Sequence, residues 1–427
     1  MQSASRRSDV VQRYNPFRPG SIVTTGMFAG RYDELIALER ALYQTKNGNP
    51  AHFLVHGERG IGKSSLLFYL QLVACGKLEA IDDSRFSFVT VSIELEPTTT
   101  YVELIKKIGS DFQRAIAGQQ RLRDLAHSAW DFLKRWEVMG VKYSSEADGV
   151  VEPHQLLDEL TYTVNATLEN LGTAVDGTLI LIDEADKPSV DAQLGEFAKL
   201  FTERLTKRGC NRVALGLAGQ TELLEKLRKS HESSPRVFQV LTLEPLAPQE
   251  RIDVVRRGLT ESKNQGGTEV TITSEAENWI SSLSEGYPSF IQQFAHCAFE
   301  CDTDNVIDHG DVIRGATMEN GALQQLGYKY FHAMYFEQIK SEDYRHILNF
   351  MSQKMTGLVT IDEIRSAIQI KPSTLNNAIV ALKKHRTIVP KPGVKGVYRL
   401  PTNSFATWIR AFTASPQMTL PSLEDQA

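Results

Sequence analysis

The eight residues GERGIGKS, from Gly57 to Ser64, decide how this chain folds. They follow the apolar run FLV at residues 53–55 and precede a second apolar run, LLF, at residues 66–68. This pattern predicts a strand, a glycine-rich turn and the start of a helix in direct succession. The spacing of Gly57, Gly62, Lys63 and Ser64 matches the P-loop, in which backbone N–H groups surround phosphate.

The turn therefore predicts a nucleotide phosphate site. We expect Lys63 to reach the β and γ phosphates and Ser64 to bind Mg²⁺, because an ammonium and a hydroxyl suit these two tasks. The helix that begins near Lys63 adds its free N–H groups and the positive end of its dipole. The predicted phosphate-binding residues are Gly57, Glu58, Arg59, Gly60, Ile61, Gly62, Lys63, Ser64 and Ser65.

Length and composition place the chain among soluble globular proteins. Its 427 residues, with 41% hydrophobic and 23% charged residues, suggest about two to four domains. The formal net charge of -5 argues against a surface that binds nucleic acid everywhere, yet it allows a local basic face. The first residues lack the apolar core of a signal peptide, and no apolar run approaches the ~20 residues of a membrane span. We expect a cytoplasmic protein without a membrane partner.

The second decisive stretch is GTLILIDEAD at residues 177–186. Its four consecutive apolar residues are typical of a central parallel strand that is buried on both faces. Asp183 and Glu184 follow at the carboxyl end, where ligands bind in open α/β sheets. We expect Asp183 to hold Mg²⁺ and Glu184 to polarise the water that attacks the γ-phosphate. The letters DEAD suggest a helicase, but the rest of a two-RecA helicase is missing.

These motifs and their order resemble AAA+ ATPases of the origin-recognition type and the related STAND signalling ATPases. Residues 28–34, FAGRYDE, resemble the F-x-G-R-x-x-E box of those families. The resemblance implies that Gly30 and Arg31 lie beside the base and sugar of the nucleotide. An ordinary salt bridge is the alternative for Arg31.

Further positions follow from the same resemblance. Gln220, after the apolar segment that follows Arg212 (residues 213–219), matches the sensor 1 position, with Thr221 as the second candidate and helix capping as the alternative. Arg236 matches an arginine finger, which raises turnover by about 10³ to 10⁵. Arg204 and Arg212 compete for that role, and an ordinary surface arginine is the alternative.

The helical patterns of residues 247–302 resemble the lid of these ATPases. Residues 286–288, GYP, match the G-x-P turn of STAND proteins, which implies that Pro288 lies near the nucleotide. A plain turn between two helices is the alternative. Ser289 stands where many AAA+ proteins carry a sensor 2 arginine, and this departure counts against a direct contact from the lid to the γ-phosphate.

The last quarter of the chain predicts three helices followed by two extended segments, an order that resembles a winged helix. No Asp or Glu occurs from Arg365 to Arg410, whereas basic residues recur there. A basic stripe indicates phosphate binding, although winged helices also bind proteins. The predicted DNA contacts are Lys371, Lys383, Lys384, Arg386 and Lys395.

The predicted fold class is α/β, with a P-loop parallel-sheet core of AAA+ type, an all-helical lid and a C-terminal winged helix. The expected segments are an arm (1–24), the ATPase core (25–246) with a helical insertion near 101–171, the lid and connector (247–335), the winged helix (336–414) and a disordered tail (415–427).

The resemblance implies an ATPase that needs ATP and Mg²⁺, forms homo-oligomers and docks on duplex DNA. The alternative is a STAND-like signalling or scaffold ATPase, for example in phage defence, whose winged helix binds a protein partner.

Overall fold

The structure is a computed structural model, and it describes residues 13–22, 28–126, 129, 133–134, 136, 152–265, 268–354, 357–391 and 393–414. The expected tail at 415–427 lies outside these residues. The chain divides into two compact units: residues 31–244, here the sheet unit, and residues 1–30 with 245–427, here the helical unit. Of the described residues that were predicted to belong to the ATPase core, residues 28–30, 245 and 246 fall in the helical unit.

The sheet unit contains a parallel sheet of five strands, in the order β2-β3-β4-β1-β5. The predicted parallel-sheet core is confirmed. The strands are β1 (His52–Gly57), β2 (Phe88–Glu94), β3 (Gly177–Asp183), β4 (Val213–Gly219) and β5 (Phe238–Leu243). The helices of this unit are α1 (Tyr32–Lys46), α2 (Lys63–Ala74), α3 (Tyr101–Ala117), α4 (Gln120–Leu125), α5 (Pro153–Leu171), α6 (Leu194–Lys207) and α7 (Leu223–Ser230).

Strands β3 and β4 lie inside the sheet and are covered on both faces. Every residue of β4, and every residue of β3 except Asp183, is buried. The close packing needs a glycine at position 216, because a Cβ there would lie 2.3 Å from the Phe53 ring on the neighbouring β1. Since all five strands are parallel, the residues that follow β1, β3 and β4 meet at one edge of the sheet.

Within the helical insertion, Trp136 packs against both α3 and α5. This side chain is fully buried, and its indole Nε1 donates a hydrogen bond of 3.2 Å to the Thr163 hydroxyl. Gly109 of α3 leaves room for the indole, because a Cβ there would lie 2.1 Å from the ring. Trp136 therefore serves as a packing residue that joins α3 to α5.

The helical unit begins with the N-terminal arm, of which residues 13–22 are described. Phe17 is 1% exposed, and its ring lies 6.4 Å from that of Phe299. Arg13 forms a 2.5 Å ion pair with Asp302. These contacts hold the arm on α10 (Pro288–Cys301).

The other elements of the lid are α8 (Pro248–Asn264), β6 (Thr271–Ile272), α9 (Ser274–Ser284), β7 (Val306–Ile307), α11 (His309–Thr317) and α12 (Ala322–Leu326).

Two short π-helical segments, Gly327–Phe331 and Ala333–Glu337, lead into a C-terminal module, defined here as residues 342–414. Its elements are α13 (Glu342–Ser352), β8 (Leu358–Thr360), α14 (Ile361–Ala367), α15 (Pro372–Lys384), β9 (Val389–Pro390), β10 (Val397–Arg399) and α16 (Asn403–Ala414). The strands form an antiparallel sheet in the order β8-β10-β9. Strand β8 and helix α16 are additions to the elements that the sequence predicts. Among the described residues, no helix combines the length and apolarity that crossing a bilayer requires.

Candidate functional site

The P-loop connects β1 to α2 through backbone angles that favour glycine. Gly60 and Gly62 have φ values of 81° and 100°, in the left-handed region. Gly57 is needed for a different reason, because a Cβ there would lie 2.9 Å from the Leu243 carbonyl oxygen at the end of β5. The glycines thus produce the tight turn that the sequence predicts, and α2 begins at Lys63 as expected.

Lys63 lies within this turn. Its Nζ donates hydrogen bonds to the carbonyl oxygens of Gly57 (3.0 Å) and Glu58 (2.9 Å). Burial lowers the pKa of Lys63, while the negative charges of Asp186, Glu184, Asp183 and Glu58 act in the opposite direction. Lys63 and the acids at the end of β3 lie at the same carboxyl edge of the parallel sheet, where their opposite charges favour each other.

The two acids at the end of β3 occupy a sharp turn. Glu184 has a φ of 51°, and its backbone N–H donates a 2.7 Å hydrogen bond to Asp183 Oδ1. Burial raises the pKa of Glu184, and the Lys187 ammonium, 3.9 Å from its carboxylate, opposes this shift. A carboxylate with a raised pKa is a better proton acceptor, which suits a general base.

The residues present fit a magnesium ion that accompanies a nucleotide. Ser64 and Asp183 offer hydroxyl and carboxylate oxygens, the ligand types that Mg²⁺ prefers. Mg²⁺ usually takes only one or two carboxylates, and phosphate oxygens and water complete its shell. Within the described part of the chain, no group of three or more His, Cys, Asp or Glu residues could hold a metal ion by itself.

Gln220, the sensor 1 candidate, is bound to Asp186. Its backbone N–H donates to Asp186 Oδ1 (2.8 Å) and its Nε2 donates to Oδ2 (3.1 Å). Thr221 instead donates through its hydroxyl to Glu222 (3.2 Å), and no side chain caps the start of α7. The two hydrogen bonds of Gln220 link the loops after β3 and β4, and its sensor 1 role stays a prediction.

Sequence reasoning missed three charged residues at this edge: Asp186, Glu94 and Lys187. Glu94 ends β2 and is the register partner of Asp183, and its carboxylate accepts a 3.0 Å hydrogen bond from Lys187 Nζ. Asp186 is only 8% exposed. A signal was available, because an acid at the last position of a predicted parallel strand lies at the ligand-binding edge.

Arg31 forms a hydrogen bond to the P-loop backbone and a salt bridge with Glu34. It is 7% exposed, and its guanidinium donates to the Ile61 carbonyl oxygen (3.1 Å) and to Glu34 Oε1 (3.1 Å). Gly30 belongs to the helical unit and has a φ of 73°. A Cβ at Gly30 would lie 2.9 Å from Glu250 Oε1 of α8. A contact from either residue to a nucleotide stays a prediction.

The three candidate finger arginines differ in their surroundings. Arg204 donates to the His154 carbonyl oxygen (2.7 Å), and Arg212 donates to the Gly172 and Val175 carbonyl oxygens (both 2.9 Å). Both are thus engaged within the sheet unit.

Arg236, by contrast, lies exposed on the 3₁₀ helix Ser234–Val237. No hydrogen bond or ion pair joins its side chain to another residue that the structure describes. Of the three candidates, Arg236 is therefore the one whose guanidinium is not held by another described residue, and its role as an arginine finger stays a prediction.

Pro288 is the first residue of α10, directly after a tight turn of the lid. Gly286 has a φ of 87°, and its carbonyl oxygen accepts a 2.8 Å hydrogen bond from the Leu246 N–H. The turn is fixed against the start of the lid. Ser289 Oγ is buried and has no hydrogen-bond partner among the described residues.

The C-terminal module presents a basic surface. Lys371 directly precedes α15, Lys383 and Lys384 form its last turn, Arg386 follows with a φ of 54°, and Lys395 lies between β9 and β10. All five predicted DNA-contacting residues are exposed. Contact with DNA stays a prediction.

Comparison with known proteins agrees with this architecture. Residues 27–238 match the family model of the AAA ATPase domain. An uncharacterized HTH-type transcriptional regulator of Methanocaldococcus jannaschii is 25% identical over 291 residues, which cover 67% of this chain and 66% of the regulator. The match thus spans just under two thirds of that relative.

Solved structures give a further likeness. The ADP form of the Aeropyrum pernix ORC2 protein has a TM-score of 0.50 at 14% identity, covering 94% of this chain and 98% of that one. The Aeropyrum pernix ORC1 protein in complex with DNA has a TM-score of 0.41 at 13% identity, covering 91% and 93%. At these identities the likeness concerns the fold alone.

Proposed function

The chain belongs to the AAA ATPases through the domain at residues 27–238, and on that premise we propose that it binds ATP with Mg²⁺ and hydrolyses it. The observation that carries the proposal is the P-loop turn itself, in which Gly60 and Gly62 have left-handed φ values and α2 begins at Lys63, at the same carboxyl edge of the parallel sheet as Asp183. Lys63 and the P-loop N–H groups bind the β and γ phosphates.

The remaining residues divide the chemistry among them. Ser64 and Asp183 would hold Mg²⁺, which supplies charge neutralisation to the phosphates when it is bound. Glu184 accepts a proton from the attacking water, and its raised pKa suits that task. Gln220 reports the state of the site to the loop that contains Asp186.

Two substitutions test this function. Glu184→Gln is expected to keep ATP affinity, because the shape is unchanged, and to lower turnover about 10²-fold or more because the base is lost. Lys63→Ala is expected to lose ATP binding, as measured by calorimetry. Equal turnover in the wild type and Glu184→Gln would remove Glu184 from this role, and unchanged affinity in Lys63→Ala would refute the phosphate site.

We further propose that the C-terminal module is a winged helix that docks on duplex DNA, so that ATP binding fixes an assembled state and hydrolysis resets it. The order of three helices with a three-stranded antiparallel sheet supports the fold. The acid-free, basic segment from Arg365 to Arg410 supports nucleic acid as the ligand. The name of the curated relative, an HTH-type regulator, agrees with this proposal.

A salt series tests the DNA proposal. Replacing Lys383, Lys384 and Arg386 with Gln removes up to three phosphate contacts, so the slope of log K against log salt should decrease in magnitude by about 1 per contact. A matched triple variant, Lys207, Lys229 and Lys263 to Gln, removes the same charge elsewhere and should keep the slope. Unchanged DNA affinity in the first variant would favour the alternative, a signalling or scaffold ATPase whose module binds a protein.

A further inference from the structure

A separate cavity lies in the sheet unit, between α1 and the loop that leads into β2. Its volume is about 390 Å³. The P-loop follows β1 at the carboxyl edge of the parallel sheet, whereas the loop before β2 lies at the amino edge. The cavity is therefore distinct from the proposed nucleotide site.

Glu39 of α1 supplies a buried acid to this cavity. The residue is 8% exposed, and its Oε2 accepts a 2.9 Å hydrogen bond from the Ile81 N–H. Its Oε1 is buried and accepts no hydrogen bond from the residues that the structure describes. Leaving a buried carboxylate oxygen without a partner is unfavourable, so this atom calls for a donor that the folded unit itself does not provide.

No positive charge among the neighbouring groups named below offsets the negative charge of the Glu39 carboxylate. Burial raises the pKa of Glu39, the Ile81 N–H opposes that shift, and the negative charge of Asp82 reinforces it. Arg40 also lines the cavity, but its side chain is exposed and forms no ion pair with Glu39. The site therefore combines an uncompensated acid with a second acid nearby.

We propose that this cavity is a binding site for an alkylammonium group, as carried by a free aliphatic diamine or by a lysine side chain. Ile36, Tyr43 and Phe86 line the cavity and offer apolar contacts to the methylene chain. The ammonium pairs with the Glu39 carboxylate, and because the unpartnered Oε1 is closed to solvent, binding requires a small rotation of the Glu39 side chain that turns Oε1 toward the cavity. A guanidinium fits less well, because its bidentate pairing needs both carboxylate oxygens and Ile81 already occupies Oε2.

The test uses the full chain with ¹³C-labelled isoleucine methyl groups, because Ile36 and Ile81 both line the cavity. Three probes are titrated: 1,5-diaminopentane, Nα-acetyl-lysine N-methylamide and the uncharged 1-pentanol. Both amines should shift the two methyl signals, and 1-pentanol should bind at least about tenfold more weakly because it lacks the charge. Tighter binding of the diamine identifies a free amine as the ligand, and tighter binding of the lysine derivative identifies a lysine side chain.

Glu39→Gln keeps an oxygen acceptor for the Ile81 N–H but removes the charge, so amine affinity should fall about tenfold or more. Glu79→Gln is the matched control, because Glu79 is paired with Arg85 at 2.7 Å, and it should bind amines as the wild type does. If Glu39→Gln does not fold, Asp82→Asn should weaken binding by a smaller factor. The proposal is overturned if neither amine shifts the signals, if 1-pentanol binds equally well, or if the folded charge variants keep full affinity.

Discussion

Gln220 and Asp186 form two hydrogen bonds, one from the backbone N–H to Oδ1 (2.8 Å) and one from the side-chain Nε2 to Oδ2 (3.1 Å). Asp186 lies three residues after Asp183, and Lys226 donates a 3.0 Å hydrogen bond to the nearby Pro188 carbonyl oxygen. These hydrogen bonds join the loops after β3 and β4. A movement of the loop that begins at Asp183 and Glu184 would therefore also move Gln220.

Gln220→Ala removes the side-chain bond and leaves the backbone bond. Because one hydrogen bond to a charged group is worth about 1.5–3 kcal/mol, turnover is expected to fall about tenfold or more while ATP affinity persists. Single-turnover hydrolysis and calorimetry measure the two quantities. Thr221→Ala is the control, since the Thr221 hydroxyl bonds to Glu222, and a comparable loss in that variant would show that Gln220 has no special role.

The pH dependence of hydrolysis tests Glu184 as the base. Burial raises the pKa of Glu184, so turnover should rise with pH through a midpoint above the ordinary carboxyl value of about 4.5 and be lost below it. Lys187→Met removes the nearby cation that lowers this pKa, and the midpoint should then move to higher pH.

Glu225→Gln, which alters an exposed pair with Lys229 on α7, should leave the profile unchanged. A midpoint that does not respond to Lys187→Met would assign the titration to a different group.

Motifs whose chemistry is local in sequence could be predicted. Gly60, Gly62 and Lys63 lie within one turn, and the uninterrupted apolar residues of β3 require burial on both faces, so spacing alone predicted the tight turn, the start of α2 and the buried strand. The carboxyl-edge position of Asp183 then followed from parallel topology.

Contacts between segments far apart in the chain could not be predicted. The pairing of Glu94 with Lys187 depends on the register of β2 against β3, and the bond from Arg31 to the Ile61 carbonyl depends on how α1 packs. Strand β8 has three residues, too few for a detectable alternation. Helix α16 was also not predicted, because the burial of Trp408 (1% exposed) and the packing of its ring on that of Phe331, with centroids 5.9 Å apart, arise only in the folded chain.

His52 makes the stability of the sheet unit sensitive to acid. Its Nδ1 accepts the Leu215 N–H at 3.1 Å, which requires a neutral ring, and burial lowers the pKa of His52 to about 4. The unfolded chain titrates near its ordinary value of about 6.5, so the stabilisation is complete above that pH. It is lost as pH falls toward 4, by about 3 kcal/mol of unfolding free energy.

His52→Asn keeps an oxygen acceptor that does not titrate, so the difference in unfolding free energy between wild type and variant should shrink as the pH falls from 7 to 4.5. Denaturant unfolding at each pH measures this difference. Between pH 7 and 8 the difference should stay constant, which is the internal control. Parallel curves across the acid range would mean that His52 does not couple folding to protonation.

Arg236 can be tested by mixing subunits, because a finger that acts on a neighbour can be supplied by a different chain. Arg236→Ala binds ATP but lacks the finger, and Glu184→Gln binds ATP and retains the finger but lacks the base, so each alone should be nearly inactive. In a 1:1 mixture of head-to-tail assemblies about a quarter of the interfaces join an intact site to an intact arginine, and about a quarter of wild-type turnover should return. Arg228→Ala, which alters another exposed arginine, should remain active alone. If mixing restores nothing while both variants still assemble with a non-hydrolysable ATP analogue, Arg236 does not act across an interface.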